Sequence, residues 1–374
     1  MYLKSLKISS FRNYTREEVS FCSRVNCIQG ANGSGKSNLL EAIHLISTGK
    51  SFRTHRLQEL IQYQNTGFQI EVEFIKETIS NTLKISFSPE GRKIVHNQTA
   101  HSSFLPLLGL LPSIILSPED ICILTGSPAE RRRFLDLHLA QIDPNYVYHL
   151  GRYQRALKQR NILLKRQEEQ GLSTWEELMA ISASYLIEKR LETIFELQKP
   201  CQKYVGELSK HKEPFSMEYE SSLILPEDST IPLSTVFAKQ WEKMRKKELD
   251  AKTTLIGPHR DDILFFLQKK DVKTYCSEGQ KRCCLAALRL AEWERLKNRS
   301  NIPPLFGIDD FGVHLDEERS SLLKNCLKEM GQVFLTAPSF INDTPSNMLL
   351  TENGSIKTYT KIDVENTLIL KETL

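Results

Sequence analysis

Residues 30–37 read Gly30-Ala31-Asn32-Gly33-Ser34-Gly35-Lys36-Ser37, a G-x-x-x-x-G-K-S loop. No other stretch of the chain restricts its fold as much. In this pattern backbone N–H groups face the α/β-phosphates of a nucleotide, the lysine reaches the β/γ-phosphates and the serine hydroxyl holds Mg²⁺. The flanks agree with it. Val19, Phe21, Val25, Cys27 and Ile28 make an apolar, strand-like run before the loop. After it, Leu39, Leu40, Ile43 and Ile46 recur at helical spacing up to Gly49, a C-terminal cap. A helix N-terminus behind a glycine turn attracts anions through its free N–H groups and its dipole. A glycine turn that merely caps a helix is the alternative; strand, loop and helix together disfavour it.

Composition narrows the rest. With 40% hydrophobic and 26% charged residues, the chain of 374 residues has the make-up of an ordinary globular protein. A net charge of +4 permits a polyanionic partner without requiring one. The cysteines at 22, 27, 122, 201, 276, 283, 284 and 326 form no C-x-x-C pair and no zinc spacing with histidine, so no cysteine-built metal site is expected. The N-terminus lacks a signal peptide's apolar region. The longest apolar run, Leu105 to Leu116, is too short to span a bilayer and contains Pro106 and Pro112. A reduced, cytoplasmic setting without membrane contact is the expectation.

Along the chain, Leu3 to Ile8 and Val19 to Ile28 predict strands. Phe68 to Ile75, Thr82 to Phe87 and Lys93 to His96 predict a β-meander, and Ser113 to Leu116 a buried strand. From about Gly126 the pattern turns to charged, amphipathic helices, a run that Pro200 is expected to stop. Leu223 to Leu225 predicts a short strand, Trp241 to Leu249 a helix, and Ile263 to Leu267 with Val272 to Tyr275 a hairpin.

Two further motifs carry chemistry. Ser277-Glu278-Gly279-Gln280 opens a helix. Ser277 and Gln280 match a capping box, yet Gly279 in the first turn is costly in a helix and lets a phosphate approach. Leu305-Phe306-Gly307-Ile308-Asp309-Asp310 is a buried strand ending in two carboxylates. Beside a P-loop, that pattern has Asp309 hold Mg²⁺ through water while Asp310 orients or deprotonates the attacking water. A turn or helix cap is the alternative for the pair.

P-loop, S-x-G-Q and strand-Asp-Asp in this order form the pattern of ABC-type ATPases. Over two hundred helix-rich residues between the first two favour the chromosome-maintenance branch over a transporter subunit. The chain resembles the RecF family along nearly its whole length. The blocks that carry the resemblance are Phe11-Arg12-Asn13-Tyr14, Gly30 to Asn38, Lys50-Ser51-Phe52-Arg53-Thr54, Ser117-Pro118-Glu119-Asp120, and Gly126-Ser127-Pro128 followed by Arg131-Arg132-Arg133. Gly257-Pro258-His259-Arg260, Ser277 to Arg282 and Asp309-Asp310 complete it.

The resemblance implies an α/β fold: a P-loop ABC-type ATPase head, a mixed sheet with flanking helices and a β-meander, split by an inserted helical lobe. Residues 1–125 and 246–374 would form the head and 126–245 the lobe. It implies an ATP- and Mg²⁺-dependent DNA-binding protein with slow hydrolysis, whose heads dimerise around two ATP molecules. It also implies RecO- and RecR-like companions, roles in gap repair, replication and the SOS response, and single-stranded, duplex or gapped DNA as partner. Lys36 and Ser37 would serve phosphate and Mg²⁺, Asp309 and Asp310 metal and water, and Arg12 and Asn13 would lie near the nucleotide. Ser277, Gly279 and Gln280 would contact the other subunit's nucleotide, and Asp316 the dimer interface. Basic candidates for DNA are Lys50, Arg53, Arg56, Arg131, Arg132, Arg133, Arg152 and Arg155. Val313-His314 departs from the family's usual Ser-Glu, and no histidine follows the strand that ends near Thr336. Alternatives are a transporter ATPase subunit and a nucleotide-stabilised scaffold without meaningful hydrolysis.

Overall fold

The computed structural model describes residues 1–209, 213–225, 231–312, 317–338, 347–352, 354–364 and 367–372. It divides into two compact units, Met1–Asp120 with Glu207–Lys210 and Arg282–Leu374, and Ile121–Gly206 with His211–Lys281. Residues 246–281, expected with the head, group with the second unit.

The first unit opens with β1 (Tyr2–Phe11), β2 (Tyr14–Ser20), β3 (Val25–Gln29) and α1 (Lys36–Thr48). The single strand expected from Val19 to Ile28 is therefore two. The buried Asn26 side chain explains the break: it accepts from Cys22 N and donates to Cys22 O, both at 2.9 Å, closing a loop that turns the chain from one sheet to another. Gly49 caps α1 in the left-handed region (φ 72°), as its position predicts. The meander follows as β4 (Phe68–Lys76), β5 (Ile79–Ser88), β6 (Gly91–His96) and β7 (Thr99–His101), and then β8 (Ser113–Leu116). An antiparallel sheet runs β2-β1-β4-β5-β6-β7. Its alternation is clean: Phe68, Ile70, Val72 and Phe74 of β4 are buried and their neighbours half-buried. Phe11 meets Phe68 edge-on at 5.4 Å.

The second unit is mainly helical, with α2 (Cys122–Thr125), α3 (Pro128–Ala140), α4 (Pro144–Arg166) and α5 (Leu172–Leu208). Pro200 does not end α5, contrary to the sequence expectation. Proline removes one hydrogen bond, but the buried stripe of Leu197, Cys201, Tyr204 and Val205 runs on across it. Next come β9 (Phe215–Glu220), α6 (Leu233–Ala251), β10 (Asp262–Leu267), β11 (Lys270–Asp271) and α7 (Val272–Tyr275), with sheet order β11-β10-β9. Residues 223–225 form no strand; the alternating Phe215, Met217 and Tyr219 supply it instead, pairing with β10. Val272 to Tyr275 is a helical turn, because Asp271 caps it by accepting from Thr274 N at 3.1 Å. In the core, Arg160 bridges Glu176 (2.8 Å) and Glu248 (2.6 Å). Burial pushes the His259 imidazole down to about 4, which keeps it neutral beside the Tyr153 hydroxyl at 2.6 Å.

The chain returns through α8 (Glu278–Ser300) to β12 (Leu305–Ile308), α9 (Glu317–Lys328), β13 (Val333–Ala337), β14 (Asn347–Glu352), β15 (Ser355–Val364) and β16 (Thr367–Glu372). These complete a mixed sheet ordered β16-β15-β14-β3-β13-β12-β8, in which β14, β3, β13, β12 and β8 are parallel neighbours. Parallel strands direct their C-terminal ends to one edge, where open α/β sheets take ligands. That edge carries the glycine loop and Asp309.

Candidate nucleotide site

The loop joins β3 to α1, and two glycines are required by their surroundings. A Cβ on Gly35 (φ 117°) would lie 2.7 Å from both Asn13 Nδ2 and the Tyr14 hydroxyl. One on Gly30 would lie 2.3 Å from Thr351 O. Ala31, Asn32 and Gly33 are exposed, whereas Ser34, Gly35 and Lys36 are buried. The Lys36 ammonium turns back onto the loop, donating to Gly30 O at 2.9 Å and Ala31 O at 3.0 Å. It is 4% exposed, and no carboxylate pairs with it among the described residues. A buried cation without a counter-charge, at the N-terminus of a helix, makes an anion site.

Across the loop, Ser37 donates to Asp309 Oδ1 at 2.8 Å and Thr336 donates to the same oxygen at 2.7 Å. Thr336 in turn accepts from Asp310 N at 2.8 Å, so one hydroxyl fixes both aspartates. Burial raises the Asp309 carboxyl above its ordinary range, against the hydrogen bonds from Thr336 and Ser37, and the Asp310 charge adds to the rise. Asp310 takes a left-handed backbone (φ 54°), and its carboxylate makes no hydrogen bond with the described residues. The Ser37 hydroxyl and the Asp309 carboxylate are hard oxygen donors of the kind Mg²⁺ takes. The residues present therefore fit both a triphosphate and its metal.

The Phe11-Arg12-Asn13-Tyr14 block buttresses the loop. Tyr14, whose phenol burial keeps protonated, donates to Gly35 O at 2.9 Å. Asn13 donates to Ser34 O at 2.9 Å and accepts from Asn38 at 2.8 Å. The Arg12 guanidinium binds both oxygens of the buried Glu41, at 2.9 and 2.8 Å, and donates to Glu59 O. The Ser51 hydroxyl bonds the same Glu41 carboxylate. Thr351, unremarked in the sequence, shares a 2.6 Å hydrogen bond with Ser34. Nothing in a lone threonine more than three hundred residues away signals that contact.

Ser277 and Gln280 make the capping box their spacing predicts, with Ser277 N donating to Gln280 Oε1 at 3.0 Å and Gln280 N to Ser277 Oγ at 3.3 Å. Ser277 is nevertheless exposed, and Gly279 sits in the first turn of α8. Asp316 and Val313-His314 lie outside the described residues. Of the basic candidates, Arg131 is buried and clasps Asp262 through Nε (2.6 Å) and Nη2 (2.8 Å), so its donors serve the fold. Arg132 is half-buried and donates to Asp261 O, and Arg133 and Arg152 are half-buried. Lys50, Arg53, Arg56 and Arg155 are exposed, Arg53 donating to Asn38 at 3.0 Å. No cluster of three or more His, Cys, Asp or Glu side chains suited to a metal occurs among the described residues. Nor is any described helix long and apolar enough to cross a membrane.

The family model described as the RecF/RecN/SMC N-terminal domain matches residues 2–340. A protein of Protochlamydia amoebophila named DNA replication and repair protein RecF is 43% identical over 345 residues, covering 91% of this chain and 96% of its own length. A protein of the same name from Oceanobacillus iheyensis is 35% identical, covering 91% and 94%. A solved structure titled as the recombination mediator protein RecF-ATP in the RecFOR pathway superposes with a TM-score of 0.88 at 29% identity, covering 96% of this chain and 97% of that one. An Smc head domain from Pyrococcus yayanosii, at 15% identity and a TM-score of 0.54, shares the fold. Agreement over this length, in sequence and in shape, makes the chain a member of the RecF family with an SMC/RecF ATPase-head fold.

Proposed function

We propose that the chain is an ATP-dependent DNA-binding protein of recombinational gap repair and replication-fork maintenance, in which ATP closes two heads on DNA and slow hydrolysis releases it. The observation that carries this reading is the buried Lys36 ammonium, which among the described residues has only carbonyl oxygens for partners, in a glycine loop at a helix N-terminus. The names of the relatives, DNA replication and repair proteins, support the DNA side.

In this reading a triphosphate draws Lys36 off the Gly30 and Ala31 carbonyls, exchanging two neutral acceptors for a charged one. Gly33 to Ser37 supply backbone N–H groups. Magnesium, held from Ser37 and Asp309, would add positive charge against the phosphate oxygens. Asp310, poised by Thr336, orients water and takes its proton. Ser277 and Gly279 from a second copy touch the γ-phosphate, a contact that exists only in the closed dimer, so ATP favours closure through its differential affinity. The exposed Lys50, Arg53, Arg56 and Arg155 are the first choices for DNA phosphates, with little sequence preference. RecO- and RecR-like proteins are the proposed companions, and the cytoplasm the proposed setting.

Fluorescence anisotropy on a gapped duplex tests this reading. With Mg²⁺ and ATP the affinity should rise roughly tenfold or more over ADP, and fall steeply between low and moderate salt. Equal affinities in ATP and ADP would refute the proposal.

A further inference from the structure

A cavity of about 140 Å³ lies within the second unit. That is close to the volume that admits one benzene ring in an apolar core. Leu150 and Leu157 of α4 and Leu186 of α5 line it with apolar surface, and Arg132 and Asp136 of α3 with polar groups. The last two are four residues apart and so share one face of α3. The exposed Gln154 is also in its lining, so the cavity opens to solvent there.

The fold already engages part of this polar lining. Arg190 donates to Tyr146 at 2.9 Å, to Pro258 O at 2.7 Å and to Asp136 Oδ1 at 2.8 Å. Asp136 Oδ1 also accepts from Tyr146, while Oδ2 has no partner among the described residues. His259 is neutral; its Nε2 faces Thr254 O at 3.2 Å and must donate, so Nδ1 accepts from the Tyr153 hydroxyl. Arg132 donates from Nη1 to Asp261 O at 2.8 Å and from no other nitrogen among the described residues. Burial, with the Arg190 charge beside it, pushes this guanidinium below its ordinary range, so an acceptor from a ligand would stabilise it.

What remains open is a set of donors on Arg132 and a single acceptor on Asp136. A phosphate or carboxylate would meet the Asp136 charge. A neutral ring edge with two acceptors and one donor satisfies both residues, and cytosine has that edge in O2, N3 and the N4 amino group. Thymine carries an acceptor, O4, where cytosine carries the donor. The volume suits one ring rather than a purine's two.

We propose that the cavity takes one unstacked base of single-stranded DNA, cytosine in preference to thymine, with its face on the leucines, O2 and N3 on Arg132 and N4 on Asp136 Oδ2. The inference rests on the DNA reading above, and it adds a base preference to phosphate contacts that have none. Anisotropy of the full chain with Mg²⁺ and ATP should show an oligo-dT strand with cytosine at alternate positions binding roughly five- to tenfold more tightly than oligo-dT alone. Asp136→Asn keeps an oxygen for Arg190 but turns the free acceptor into an amide donor, and should abolish or reverse that preference. Leu157→Trp fills the cavity from its apolar side and should bind the two strands equally. It leaves the Arg190–Asp136 pair intact, so it decides the matter if a thermal melt shows Asp136→Asn unfolded. Equal wild-type affinities, or a preference retained by either folded variant, would overturn the inference. So would binding of wild type to a gapped duplex but to neither strand. If wild type binds none of the three, the DNA reading fails instead.

Discussion

Lys36→Ala should lose affinity for ATP by roughly a hundredfold or more, because the phosphate loses a buried ammonium. The variant should fold at least as stably as wild type. Lys36 is 4% exposed and hydrogen-bonds the Gly30 and Ala31 carbonyls, with no countercharge among the described residues, so the unliganded protein holds a desolvated charge. Isothermal titration with ATP and a thermal melt read the two effects together. Loss of binding with an unchanged or raised melting temperature fits the account. Retained binding would mean that this ammonium does not hold phosphate.

Asp310→Asn should slow single-turnover hydrolysis by about 10²–10⁴-fold, the usual worth of a positioned general base. ATP affinity should stay within about twofold, since the Asp310 carboxylate holds no part of the loop in place. The substitution is also mild for the backbone. Asp310 sits at φ 54°, a conformation asparagine adopts readily, and its N–H bond to Thr336 does not depend on the side chain. Quenched-flow hydrolysis with enzyme in excess measures the effect. Turnover equal to wild type would favour a scaffold that uses ATP only as a structural ligand.

What could be read from the sequence follows a physical division. The loop, the Ser277–Gln280 box and the meander are local: spacing alone sets which N–H meets which side chain, and the structure repeats those readings. That Asp309 lies beside the loop was legible because an apolar strand in a P-loop fold ends at the edge that carries the loop, and there it meets Ser37. Long-range commitments were not. Arg131 and its neighbours look alike in a run of three arginines, and only the fold brings Asp262 to clasp the first of them. Arg12 is expected near the nucleotide, and nothing in the sequence signals its pairing with Glu41, buried on α1. Pro200 reads as a stop because proline's local cost is visible and the packing that outweighs it is not.

The account depends on a nucleotide shared by two copies of the chain. Sedimentation velocity of the full chain at micromolar concentration, with Mg²⁺ and either ATP or ADP, tests that dependence most directly. A shift from monomer to dimer with ATP and none with ADP is the predicted result. A monomer that persists at saturating ATP would contradict it.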